Sequence, residues 1–129
     1  MQTFENPYAT IVFRDDEILQ IIYADKLLSK DEVESVFNSQ REHSPWEISP
    51  ILAMGKSFSN LDSEARQFLS SEKVLKHCSA LAIIAQSLGE KMAANFFIKF
   101  SKPLKPTKFF STEIEALEWL KQFETIAKK

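Results

Sequence analysis

Residues 80–85 read Ala80-Leu81-Ala82-Ile83-Ile84-Ala85, six apolar positions without alternation. A strand with one wet face would alternate apolar and polar. A short unbroken run of this kind reads as a strand covered on both faces, the signature of a parallel sheet with helices packed against it. The rest of the chain can be read outward from this segment.

Upstream, Tyr8–Arg14 and Ile18–Ala24 are rich in β-branched and aromatic residues and are separated by Asp15-Asp16-Glu17. This reads as two strands joined by a tight turn, hence antiparallel. Ser29 with Glu32 three residues later is a capping box, and Val33, Val36 and Phe37 give the following helix one apolar face. That helix should stop before Pro45. Ile48–Met54 reads as a strand with an irregularity at Pro50, and Gly55 ends it. Asp62 or Ser63 can cap a helix that buries Ala65, Phe68 and Leu69. Downstream of the central strand, Leu88, Met92, Phe96 and Phe100 recur every four residues, with Phe97 alongside, and predict a helix with this stripe as its buried face. Pro103 and Pro106 break it. Thr107–Phe110 is a short edge strand, and a last helix from about Glu113 to Ala127 should bury Ile114, Leu117 and Leu120, with Trp119 and Phe123.

The order is β-β-α-β-α-β-α-β-α, one α/β domain over residues 1–129, with a mixed, mostly parallel sheet of about five strands. A chain of 129 residues, 44% apolar and 26% charged, is long enough to bury a core without a metal or disulfides. Cys78, the sole cysteine, allows no internal disulfide. No transmembrane run and no secretory signal are legible, so a cytoplasmic location is the expectation.

Several chemistries find no residues to carry them. Gly55 and Gly89 are the only glycines, too few for a loop whose amides cradle a phosphate, so no nucleotide motif can be built. His43 and His77 stand far apart, and the adjacent pair His77-Cys78 fits no common zinc spacing. Cys78 reads as a small buried hydrophobe, lacking any legible activating base. The acid pairs Asp15/Asp16, Asp31/Glu32 and Glu113/Glu115 belong to a turn and to first helical turns. The sequence therefore predicts no catalytic residues, no metal, no cofactor and no enzyme activity.

The net charge of −2 argues against a nucleic-acid binder. The charge is nevertheless uneven. Five lysines (Lys91, Lys99, Lys102, Lys105 and Lys108) and no acid lie between positions 91 and 108, which leaves the remainder at about −7. This run is either a solvated surface or a docking patch for an anionic partner, with Lys99, Lys102, Lys105 and Lys108 as its candidates. Arg66 and Asn95 are polar residues among apolar neighbours. Either could satisfy a buried backbone group or help recognise a carboxylate or phosphate.

The Ile18–Ala24 strand, Glu64-Ala65-Arg66 opening a helix, Asn95-Phe96-Phe97 after the central strand, and Pro106–Phe110 followed by Glu115–Leu120 resemble the SpoIIAA-like group. These are the STAS domains named after sulfate transporters and anti-sigma-factor antagonists. The resemblance implies consecutive strands lying side by side, helices largely on one face, and a non-enzymatic binding or regulatory module with a protein partner. The incompletely covered opposite face would suit a homodimer. In the antagonists a serine at the start of the helix after the third strand is phosphorylated. Here that stretch is Asp62-Ser63-Glu64-Ala65, which keeps one serine but not the Ser-Gly pair, and Glu64 would repel a phosphate. The competing expectation is a small anionic or lipid-like ligand, held between Phe96, Phe97, Phe100, Phe109 and Phe110 and the lysines.

Overall fold

The computed structural model describes residues 1–55 and 61–128; the side chains of 100 and 101 lie outside the description. Its elements are β1 (Gln2–Asn6), β2 (Ala9–Phe13), β3 (Leu19–Tyr23), α1 (Lys30–His43), β4 (Trp46–Met54), α2 (Ser63–Leu69), α3 (Glu72–Leu75), β5 (Cys78–Ile84), α4 (Leu88–Phe96), a π-helical turn Phe97–Ser101, β6 (Thr107–Phe110), α5 (Glu113–Leu120) and β7 (Ile126–Ala127). The strands lie in sequence order, β1-β2-β3-β4-β5-β6. β1, β2 and β3 form an antiparallel meander, and β3 to β6 run parallel. Because every crossover steps in the same direction, right-handed connection places α1, α2, α3 and α4 on one face. The expected side-by-side strand order and mostly parallel sheet are borne out, with seven strands among the described residues in place of about five.

Three elements carry no clear signal in the sequence. β1 carries exposed polar residues and pairs only at an edge, so it lacks a buried-strand pattern. α3 is a single turn. β7 pairs antiparallel with the start of β4, beyond the end of β3. The last helix is correspondingly shorter than expected. It stops at Leu120, and Ile114, expected inside, is 79% exposed.

Two apolar clusters sandwich the sheet. The larger joins Ile11, Phe13, Leu19, Ile21, Ile51, Leu81 and Ile83 to Val33, Val36 and Phe37 of α1 and to Ala65, Phe68, Leu75, Ala94 and Phe97. The smaller joins Ile18, Leu52, Ala80, Ala82 and Ile84 to Ala116 and Leu120 of α5. β5 alternates between them, so the 80–85 run is apolar because each face has its own cover. α5 thus covers part of the face expected to be open.

Local signals act as expected at several termini. The Ser29–Glu32 capping box is formed, and the Glu32 carboxyl is held below its usual range first by the Ser29 backbone N–H and then by Lys26. Pro50 coincides with a register shift in the β4–β5 pairing. Gly55 has φ 118°, and a Cβ there would lie 2.5 Å from the Tyr23 carbonyl oxygen, so only glycine lets β4 end against β3 in this way.

Candidate functional site

α4 is where sequence and structure part company. Ser87 caps it through a second capping box with Glu90. Its buried side is made by Ala94 and, in the following π turn, Phe97, which is fully enclosed by the larger cluster. The stripe expected inside faces solvent instead: Leu88 is 76%, Met92 65% and Phe96 46% exposed. Period-four spacing reveals that a helix has an apolar face, but not which side the sheet will take. Here Ala93, Ala94 and Phe97 supply a second apolar side, and this is the one that packs.

The predicted polar residues distribute around this helix. Arg66 on α2 donates from Nη1 to the Leu61 carbonyl at 2.6 Å, and its guanidinium lies 5.2 Å from the Phe96 ring centroid. One guanidinium therefore ties the start of α2 to the end of α4. Asn95 is exposed, beside Phe96. Ser63 is exposed at the first position of α2, and the cap is Asp62, whose Oδ1 accepts from the Ala65 N–H at 2.8 Å. The capping role open to Ser63 in the sequence belongs to its neighbour.

The lysine run does not stay together. Lys99 and Lys102 are exposed at the C-terminal end of the α4–π segment, where Lys102 adopts a left-handed φ of 46°. Lys105 is partly covered in the loop that follows. Lys108 instead lies with its Nζ 5.7 Å from the Trp119 ring centroid, on the α5 side of the sheet. Leu104, between Lys102 and Lys105, is 70% exposed.

The phenylalanines proposed as walls of one pocket are also scattered. Phe97 is in the larger cluster, Phe110 packs against the smaller, and Phe96 and Phe109 reach solvent. The Phe100 side chain lies outside the described residues. A cavity does exist beneath the helices, lined by Tyr23, Phe37, Gln40, Leu69, Cys78 and Phe97 among others, with a volume of about 40 Å³. An apolar cavity that takes benzene is about 150 Å³, whereas a single water needs only about 10–15 Å³. The space has room for no more than a water or two and is too small for a lipid-like molecule. Gln40 Oε1 is buried with no hydrogen-bond partner among the described residues, and Gln40 is among the residues lining this space.

The remaining reactive groups are occupied or silenced. Burial pushes the Cys78 thiol up to about 12, which removes thiolate character at neutral pH. His77 Nδ1 lies 2.9 Å from the Glu47 carbonyl oxygen, and His43 Nδ1 lies 3.0 Å from that of Ser39. Among the described residues no group of three or more His, Cys, Asp or Glu side chains could hold a metal, and no helix is long and apolar enough to cross a membrane.

Comparison with known proteins agrees with the architecture. A family model described as a domain of unknown function (DUF7793) matches residues 11–124. Among solved structures, an uncharacterised protein of the DUF3478 family from Shewanella loihica PV-4, described as having a SpoIIAA-like fold, superposes with a TM-score of 0.60. It is 20% identical, with 92% of this chain and 99% of that chain covered. No curated protein gives a significant match. The expected SpoIIAA-like resemblance is thereby borne out as a fold.

Proposed function

The chain belongs to the DUF7793 family, and from that premise we propose that it is a non-enzymatic binding module of a regulatory kind. Its working surface is the solvent side of α4 with the lysines that follow, and it receives an anionic partner with an apolar component. The observation that carries this reading is the exposure of Leu88, Met92 and Phe96 together on one helix face. Three large apolar side chains kept in water at four-residue spacing mark an interaction surface, because singly scattered ones would need no explanation.

In this reading Asn95 shares the contact face. Arg66 acts as a positioning residue that braces Phe96 from α2, while Lys99, Lys102 and Lys105 supply the attraction for negative charge. Lys108 is placed apart from them by its contact with Trp119. Ser63 stands one helical turn before Arg66, so a phosphate there would compete for the guanidinium and loosen its hold on Phe96. Cys78 has no part, being buried and protonated at neutral pH.

In-cell photo-crosslinking tests the surface. A photoreactive residue at position 92 should give discrete adducts, with protein or lipid, that the same residue at the still more exposed Ile114 position does not. The absence of adducts at 92, or identical adducts at both positions, would overturn the reading.

A further inference from the structure

We infer that the partner of the α4 surface is an anionic lipid bilayer, on which the α4–π segment lies as an interfacial helix; this rests on the surface assigned above. The first support is the pairing of apolar depth with positive charge. Leu88, Met92 and Phe96 project from one side of the helix, Leu104 projects from the loop at its end, and the stretch from Lys91 to Lys108 contains no acid. A helix that carries long apolar side chains beside lysines binds at the headgroup–acyl boundary, its apolar side sinking in while the ammonium groups meet lipid phosphates. Glu90, the last acid before that stretch in the sequence, is turned to the helix start, where its Oε2 accepts from the Ser87 N–H at 2.9 Å.

The second support is that the same charge disfavours the other occupants. A second copy presenting this face would bring lysines against lysines, with no carboxylate between 91 and 108 to answer them. A folded acidic protein would be read by groups that fix orientation. Between 88 and 108 Asn95 is the only side-chain amide, and the other exposed groups are chiefly aliphatic stems, aromatic rings and ammonium groups. Such a surface senses charge and depth more than shape, which a fluid bilayer supplies. The sheet beneath stays out of the contact, because Ala94 and Phe97 hold the inner side of the segment in the core.

Vesicle flotation with the full chain tests this. The protein should float with vesicles of phosphatidylcholine mixed equally with phosphatidylglycerol and remain behind with phosphatidylcholine alone. The double variant L88E/M92E, at two exposed positions, should keep a wild-type circular dichroism spectrum and lose binding about tenfold or more. K99E/K102E should lose at least about twenty-five-fold, roughly five-fold for each lysine removed. I114E, a change at least as exposed but outside the segment, should bind as wild type. Failure to float with anionic vesicles, or an equal loss in I114E, overturns the inference. So does light scattering that shows a wild-type dimer made monomeric by L88E/M92E. Protein adducts from position 92 combined with failure to float would leave the surface assigned and exclude the bilayer; loss of both would remove the surface as well.

Discussion

α1 and α4 lie on the same face of the same sheet, begin with the same capping box, and make opposite use of their apolar residues. α1 puts Val33, Val36 and Phe37 into the core and leaves its acids and bases outside. α4 puts one alanine into the core, leans on Phe97 of the turn beyond it, and leaves its larger apolar side chains in water. The first helix is there to make the fold, and the second is carried by it. A large apolar residue therefore says little about stability until its covered side is known.

The comparison can be broken most decisively at matched positions. Phe37→Ala should cost about 3–5 kcal/mol in chemical denaturation, the price of an emptied aromatic site. Equal tolerance of Phe37→Ala and Met92→Ala would show that α1 is not the structural helix of the pair. The core beneath α1 can also be probed by pH. Burial raises the Cys78 thiol from 9.0 to about 12 and the Tyr23 phenol above its ordinary 10.0. Between those values the unfolded chain has released protons that the folded chain still holds, so stability is whole below about pH 9 and falls as pH rises. The slope should be about 1.4 kcal/mol per pH unit for each group. Cys78→Ala should delay the onset of the fall toward the tyrosine range, and a flat profile above pH 9 would contradict the burial.

Smaller effects sharpen the contrast. Gln40→Met on α1 removes the buried carbonyl that lacks a partner among the described residues, and should stabilise by about 1 kcal/mol. A loss of that size would instead reveal a bridging water. Ser29→Ala and Ser87→Ala should cost about 1 kcal/mol each, since the caps are alike even though the helices are not. Met92→Ala should stay within about 0.5 kcal/mol of wild type while weakening vesicle binding, separating contact from packing.

What the sequence made legible follows from where information is local. The capping box at Ser29, the break at Pro45, and the doubly covered 80–85 strand are short-range patterns with one physical reading each, and all three hold. The side on which α4 packs is not local. It depends on Ala94 and Phe97 fitting the larger cluster better than Met92 and Phe96 do, and both sides are apolar on paper. Ile114 failed for the same reason. The lysine cluster was visible as composition, but its division depended on β6, which carries Lys108 to the Trp119 side. A usable signal was present in Ala93-Ala94, since small residues on the flank of a bulky stripe allow a helix to approach a sheet with its bulk turned away.

The side-by-side strand order has a consequence for how the molecule comes into being. Each strand from β2 to β6 pairs with the strand made just before it, so the sheet can accrete as the chain leaves the ribosome, across tight turns in the meander and one helical crossover at each parallel step. The exceptions are α5 and β7, which return to strands made long before. Until they arrive, Ile18, Leu52 and Ala82 stand uncovered. Nascent chains stopped short of α5 should therefore be the ones that chaperones hold.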